Sequence, residues 1–142
     1  MKYHIVLDTN VIVSALITRN KESATVRLLE KVLHDDCIVL LINDEILTEY
    51  QEVLHRPKFS IDPISLNIVL NTIQSIACRV SAAPACIGLP DPKDVMFVKV
   101  SMSVNGSTIV TGNLRHFPNI HNVMTPAQFL ELIENYPQRD TI

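Results

Sequence analysis

Hydrophobic and polar positions run along this chain in two rhythms, continuous apolar bursts and helically spaced stripes. Tyr3–Leu7 is a burst rich in β-branched and aromatic residues, the pattern of a strand. An apolar helix is predicted from about Thr9 to Ile17, and Thr18 to Lys21 is a polar loop. From Glu22 to His34 the residues Val26, Leu29, Val32 and Leu33 recur at helical spacing. Cys37–Ile42 is unbroken and of strand length, as expected for a strand covered on both faces. Asn43 or Asp44 then caps a helix to about His55, and Pro57 ends it.

The second half is punctuated by proline. Asp62-Pro63 combines an acid at the cap with proline at the first helical position, and the helix continues through Leu66, Val69, Leu70 and Ile73. Arg79-Val80-Ser81 reads as a short, weak strand, and Ala82–Pro90 as a connector broken by Pro84, Gly88 and Pro90. Asp91-Pro92 repeats the cap-plus-proline start for a helix to roughly Val104, with Asn105-Gly106 as its stop. Ser107–Thr111 is the next strand and leads into Gly112-Asn113. Thr125-Pro126-Ala127-Gln128 is a capping box for a last helix to Asn135. The order β-α-α-β-α-α-β-α-β-α with short connections predicts one α/β domain over residues 1–142, with a mainly parallel sheet and right-handed crossovers.

Composition narrows the class. The 142 residues are 47% apolar and 19% charged, which is globular, and the apolar runs are too short to span a bilayer. Lys2 is followed by five residues and then an acid, unlike a signal peptide, so a cytoplasmic protein is expected. Cys37, Cys78 and Cys86 form no C-x-x-C pair and sit in or beside apolar segments. Buried, inert thiols in a reducing compartment are the expectation. A net charge of −3 does not by itself advertise a nucleic-acid binder, which tends to carry a basic stripe, nor does it exclude one. An enzyme that grips phosphate through metal ions, however, must spend acids on the metal. Local cations stand at Arg19 and Lys21, Arg56 and Lys58, Lys93, and Arg115 with His116, and any one of them also suits a solvated surface.

The acids carry the chemistry. Asp8 directly follows a strand, so it belongs at the C-terminal lip of the sheet where ligands bind in open α/β folds. It also suits the N-cap of the next helix. In the helix from Asp44 to His55, residues Ile46, Leu47, Tyr50, Val53 and Leu54 form one face. Glu49 lies nearer the edge of that face than Glu45 or Glu52, either looking into a cleft or simply solvated at the boundary. Asp94 sits three residues after the cap Asp91, where complementing the helix dipole is reason enough for an acid. Asn113 follows its strand as Asp8 follows the first, but supplies no charge and also suits a turn after Gly112. Competing chemistries are absent: three glycines leave no phosphate-cradling loop, and the five histidines have no metal-ligand spacing. A haloacid dehalogenase type phosphatase needs a second Asp where Asn10 stands.

Leu7-Asp8-Thr9-Asn10, Glu45-Ile46-Leu47-Thr48-Glu49-Tyr50 and Arg56-Pro57-Lys58-Phe59 resemble a PIN domain. So do Leu89-Pro90-Asp91-Pro92-Lys93-Asp94 and Ile109-Val110-Thr111-Gly112-Asn113 with Arg115-His116-Phe117-Pro118. The likeness covers residues 3 to about 133, with its order and spacing similar to toxin components of toxin–antitoxin systems, the relatives of VapC toxins. It implies a three-layer α/β/α sandwich and a Mg²⁺- or Mn²⁺-dependent ribonuclease that leaves 5′-phosphate and 3′-hydroxyl ends. Asp8, Glu49 and Asp94 match the family's acidic, metal-holding positions, and Asn113 stands where many members carry a fourth catalytic acid. Asn10 and Thr111 match polar positions beside the site, and by location Arg115, His116, Lys93 or Arg19 could hold the flanking phosphates. RNA, a small antitoxin protein and a second copy of the chain are the implied partners. A catalytically weak PIN domain that binds RNA or protein is the alternative, and a small-molecule phosphatase is disfavoured.

Overall fold

Ile5, Val6 and Leu7 are each fully buried, although consecutive strand residues point to opposite faces. Such a strand is covered on both sides, so helices flank the sheet in a three-layer α/β arrangement. The computed structural model describes residues 2–135. Its sheet has five strands: β1 (Tyr3–Leu7), β2 (Ile38–Ile42), β3 (Cys78–Arg79), β4 (Thr108–Val110) and β5 (Val123–Met124). They lie in the order β3-β2-β1-β4-β5, and every pairing is parallel. The expected α/β class with a mainly parallel sheet is found as a fully parallel one.

Among the described residues, six α-helices accompany the sheet: α1 (Thr9–Ile17), α2 (Ala24–His34), α3 (Asp44–Leu54), α4 (Pro63–Ile76), α5 (Val95–Met102) and α6 (Pro126–Asn135). Their starts are chemically marked. Ser23, Asn43 and Asp62 accept from the amides of Val26, Ile46 and Ser65, which satisfies donors that the helices leave free. The stripe read from sequence in α2 is buried as Val26, Leu29 and Val32, and in α4 as Leu66, Val69, Leu70 and Ile73. Phe129 of α6 meets Tyr3 edge to face at 5.6 Å between ring centres, closing the core over β1. Among the described residues no helix is long and apolar enough to cross a membrane.

Four local expectations differ from the structure. The helix predicted from Asp91 to Val104 is a 3-10 turn, Pro92–Asp94, followed by the shorter α5. The weak third strand lies at Cys78–Arg79, slightly earlier than expected. Strand β5 was not expected, because two residues are too few to show a period. The cysteines are all exposed rather than buried. Cys37 precedes β2 at the turn from α2, Cys78 is on the edge strand β3, and Cys86 is on the connector, all at the margins of the sheet rather than in its central strands.

Candidate active site

The chain order runs outward from β1 to β2 to β3, then returns to place β4 on the other side of β1. Crossovers leaving β1 and β4 therefore diverge, and a crevice opens beyond their C-terminal ends. The two ends are locked together across that crevice. The Asp8 amide donates to the Val110 carbonyl at 2.9 Å, and the buried Thr111 hydroxyl donates to Asp8 Oδ2 at 2.8 Å. Asp8 occupies the N-cap position of α1, yet its side chain makes no capping hydrogen bond. Its carboxylate instead lines a cleft of about 390 Å³.

Glu49 reaches the same cleft from α3. Ile46, Leu47, Tyr50 and Leu54 bury one face of that helix, leaving Glu49 half-buried at its edge and Glu45 and Glu52 exposed. Tyr50 fixes the helix against β1, its phenol donating to the Leu7 carbonyl at 2.6 Å. Glu49 Oε2 accepts from the hydroxyl of Thr9 at 2.8 Å. Thus the residue next to Asp8 orients the acid from α3.

Asp94 comes from the 3-10 turn before α5. Asp91 opens the turn by accepting from the Lys93 amide at 2.9 Å, and both Asp91 and Lys93 line the cleft. The Asp94 carboxyl is pushed up to about 6, first by burial and then by the negative charges of Asp8, Asp91 and Glu49. Burial also raises Asp8, opposed by the Thr111 hydroxyl, the nearby amides of Asn10 and Thr9, and His116. Tyr50 is held well above the usual phenol range by burial, with Asp8 and Glu49 adding to it, so it stays a neutral donor.

His116 sits between the two aspartates, with Nδ1 at 3.9 Å from Asp8 Oδ2 and 3.9 Å from Asp94 Oδ2. Asn113 positions it. Its Oδ1 accepts from the Arg115 amide at 3.1 Å, which leaves Nδ2 to donate to His116 Nε2 at 3.2 Å. Nε2 is then an acceptor, and the proton of a neutral imidazole lies on Nδ1, facing the acids. Asn113 itself is exposed and does not line the cleft, nor does the exposed Arg115. Asn10 lines it and accepts from the Gly112 amide at 3.2 Å, tying α1 to the loop after β4.

Sequence reasoning left Thr9, Val13, Val53, Arg56 and Phe59 without a role in the site, yet all five line the cleft. A hydroxyl beside a strand-end acid was the available signal for Thr9. Val13, one turn beyond Thr9 on α1, and Val53, one turn beyond Glu49 on α3, could be found from helical spacing.

The donor set suits a hard divalent cation. Asp8, Glu49 and Asp94 offer carboxylate oxygens, and their mutual repulsion is what a cation would relieve. Among the described residues, His116 is the one basic group within 4 Å of Asp8 or Asp94. Among the described residues, no group of three or more His, Cys, Asp or Glu side chains is arranged to hold a metal ion by itself. An ion such as Mg²⁺, which retains several waters and takes one or two carboxylates, does not require one.

A family model described as PIN domain matches residues 4–115, spanning Asp8, Glu49, Asp94 and Asn113. The chain belongs to the PIN domain family. PIN domains are generally nucleases and usually use divalent metal ions. No curated protein and no solved structure matches the chain. Strand β5, helix α6 and His116 lie beyond the span that defines this PIN domain.

Proposed function

We propose that this PIN domain is a Mg²⁺- or Mn²⁺-dependent endoribonuclease. The observation behind it is the convergence of Asp8, Glu49 and Asp94, from three separate elements, on one cleft at the topological switch point. A divalent ion held by these acids would polarise the phosphodiester and lower the pKa of a water. The chain's own groups prepare that chemistry. Thr111 and Thr9 orient Asp8 and Glu49 through their hydroxyls. Lys93 and Arg56 on the cleft wall would neutralise the phosphates on either side of the scissile one. Water would add to phosphorus as the bond to the 3′ oxygen breaks, leaving a 5′-phosphate and a 3′-hydroxyl.

Incubating RNA with the purified protein and Mn²⁺ tests this reading. Cleavage is expected, with loss in chelator and in Asp8→Asn or Asp94→Asn. Equal cleavage by those variants would overturn the assignment. The exposed position of Asn113, outside the cleft, favours a second reading in which the domain binds RNA or a protein partner without turnover. Saturable RNA binding with no cleavage in Mg²⁺ or Mn²⁺ would select it. Likeness to toxin components supports a cytoplasmic toxin, working as a homodimer and silenced by a small antitoxin. A short open reading frame beside the gene, whose product blocks cleavage, is the corresponding test.

A further inference from the structure

The lining of the cleft is of two kinds. Asp8, Glu49, Asp91 and Asp94 are acidic and suit a cation with its phosphate. Val13 of α1, Val53 of α3 and Phe59 of the 3-10 turn Pro57–Phe59 are apolar. A phosphodiester and its counterions give no reason for an aliphatic and aromatic wall. A nucleobase does, because its flat face gains by leaving water for an aromatic surface.

Phe59 is half-buried and rests against the core, so its ring is held from behind and lines the cleft in front. The Lys58 ammonium lies 5.1 Å from the ring centre. A surface lysine over a half-buried ring is a loosely held occupant. Arg56 stands beside this wall, in a loose surface pair with Glu52 at 3.7 Å that a phosphate would outcompete. Arg56 also lines a second groove of about 230 Å³, with Leu54, Ser60 and Leu66 among its walls. The cleft and the groove therefore share Arg56 as a wall.

We propose that Phe59, with Val13 and Val53, forms a base-stacking subsite for the nucleotide next to the scissile phosphate, and that Arg56 holds the phosphate on its far side. The inference rests on reading the acidic lining as a phosphodiester site. It makes the substrate a strand whose base is free to leave its neighbours, hence single-stranded RNA rather than a duplex. It also gives the Arg56-Pro57-Lys58-Phe59 segment a purpose. Pro57 fixes the short turn that delivers arginine and phenylalanine to adjacent walls.

The test is binding, read by fluorescence anisotropy of a short labelled single-stranded RNA of mixed sequence, with Ca²⁺ as the ion and the probe confirmed intact. Phe59→Leu should weaken binding roughly ten- to a hundredfold, whereas Phe59→Trp should retain it. Arg56→Gln should weaken it and flatten its dependence on salt. Thermal melts of each variant separate lost folding from a lost subsite. A probe with one abasic position, walked along the strand, should bind wild type as weakly as the full probe binds Phe59→Leu at a single position. At that position the abasic probe and Phe59→Leu should show no further loss when combined. Unchanged affinity in a folded Phe59→Leu, or equal binding of duplex and single strand, overturns the subsite. Phe59-dependent binding without cleavage in Mn²⁺ would uphold the subsite while removing the nuclease reading.

Discussion

The Thr9 hydroxyl donates to Glu49 Oε2 at 2.8 Å, joining the start of α1 to the middle of α3 across 40 residues of sequence. Thr9 is buried, so its hydroxyl has few other partners and the bond fixes the carboxylate beside the cleft that Asp8 also lines. Thr9→Val removes the donor while keeping the shape. It should lower Mn²⁺ affinity or cleavage about ten- to a hundredfold with little change in melting temperature, and Thr9→Ser should restore both. Calorimetric titration of Mn²⁺ and a cleavage assay on both variants check this.

Asp94 illustrates a site held at a cost to the fold. Its carboxyl is raised from 3.8 to about 6, so between those values the folded protein binds a proton that the unfolded chain does not. Stability from this group therefore falls as pH rises from about 4 to about 6 and stays low above. Asp94→Asn, which carries no charge, should be more stable than wild type at neutral pH by about 1 kcal/mol, after allowing for solvent screening. The gain should vanish below about pH 4. Urea denaturation at several pH values, in chelator, measures it.

A divalent ion should reverse that penalty. In saturating Mn²⁺ the melting temperature should rise, because an ion that binds only the folded state stabilises by mass action. The rise should be clear at about pH 8 and much smaller at about pH 5, where Asp94 is protonated and competes with the ion. Equal shifts at both values would place the ion elsewhere.

Asn113→Asp asks whether a fourth acid would complete the site. The side chain is exposed, caps the 3-10 turn Leu114–His116 and holds His116 Nε2. A carboxylate there keeps the cap but cannot donate to the imidazole. Metal affinity should not improve, and cleavage should fall, by up to about tenfold. Tighter Mn²⁺ binding by calorimetry would contradict the observed placement.

Tyr50→Phe tests the pillar beneath Glu49. Removing the hydroxyl leaves the Leu7 carbonyl without a buried donor at 2.6 Å, which should destabilise the fold by about 1–2 kcal/mol. Chemical denaturation reads the loss directly.

Much of this architecture was legible locally. The unbroken apolar runs of β1 and β2, the proline-marked starts of α4 and of the turn before α5, and the caps at Asn43 and Asp62 are short-range chemistry. Helical spacing alone set Glu49 apart from Glu45 and Glu52, and the structure leaves those two exposed. What adjacency cannot encode is which strand ends become neighbours. The return of β4 to the far side of β1 brought Thr111 to Asp8, while α3 carried Glu49 to Thr9. The same geometry left Asn113 outside the cleft although it follows β4 much as Asp8 follows β1. The 3-10 turn after it closes on its own backbone, so its side chain is used locally. The sequence by itself determined most of the elements and the acids they end in, but not the two-residue β5 or the 3-10 start of α5, because propensity, period and capping act over a few residues. Only the tertiary structure decided which acids share a cleft and that an apolar wall faces them, because both depend on packing between segments tens of residues apart.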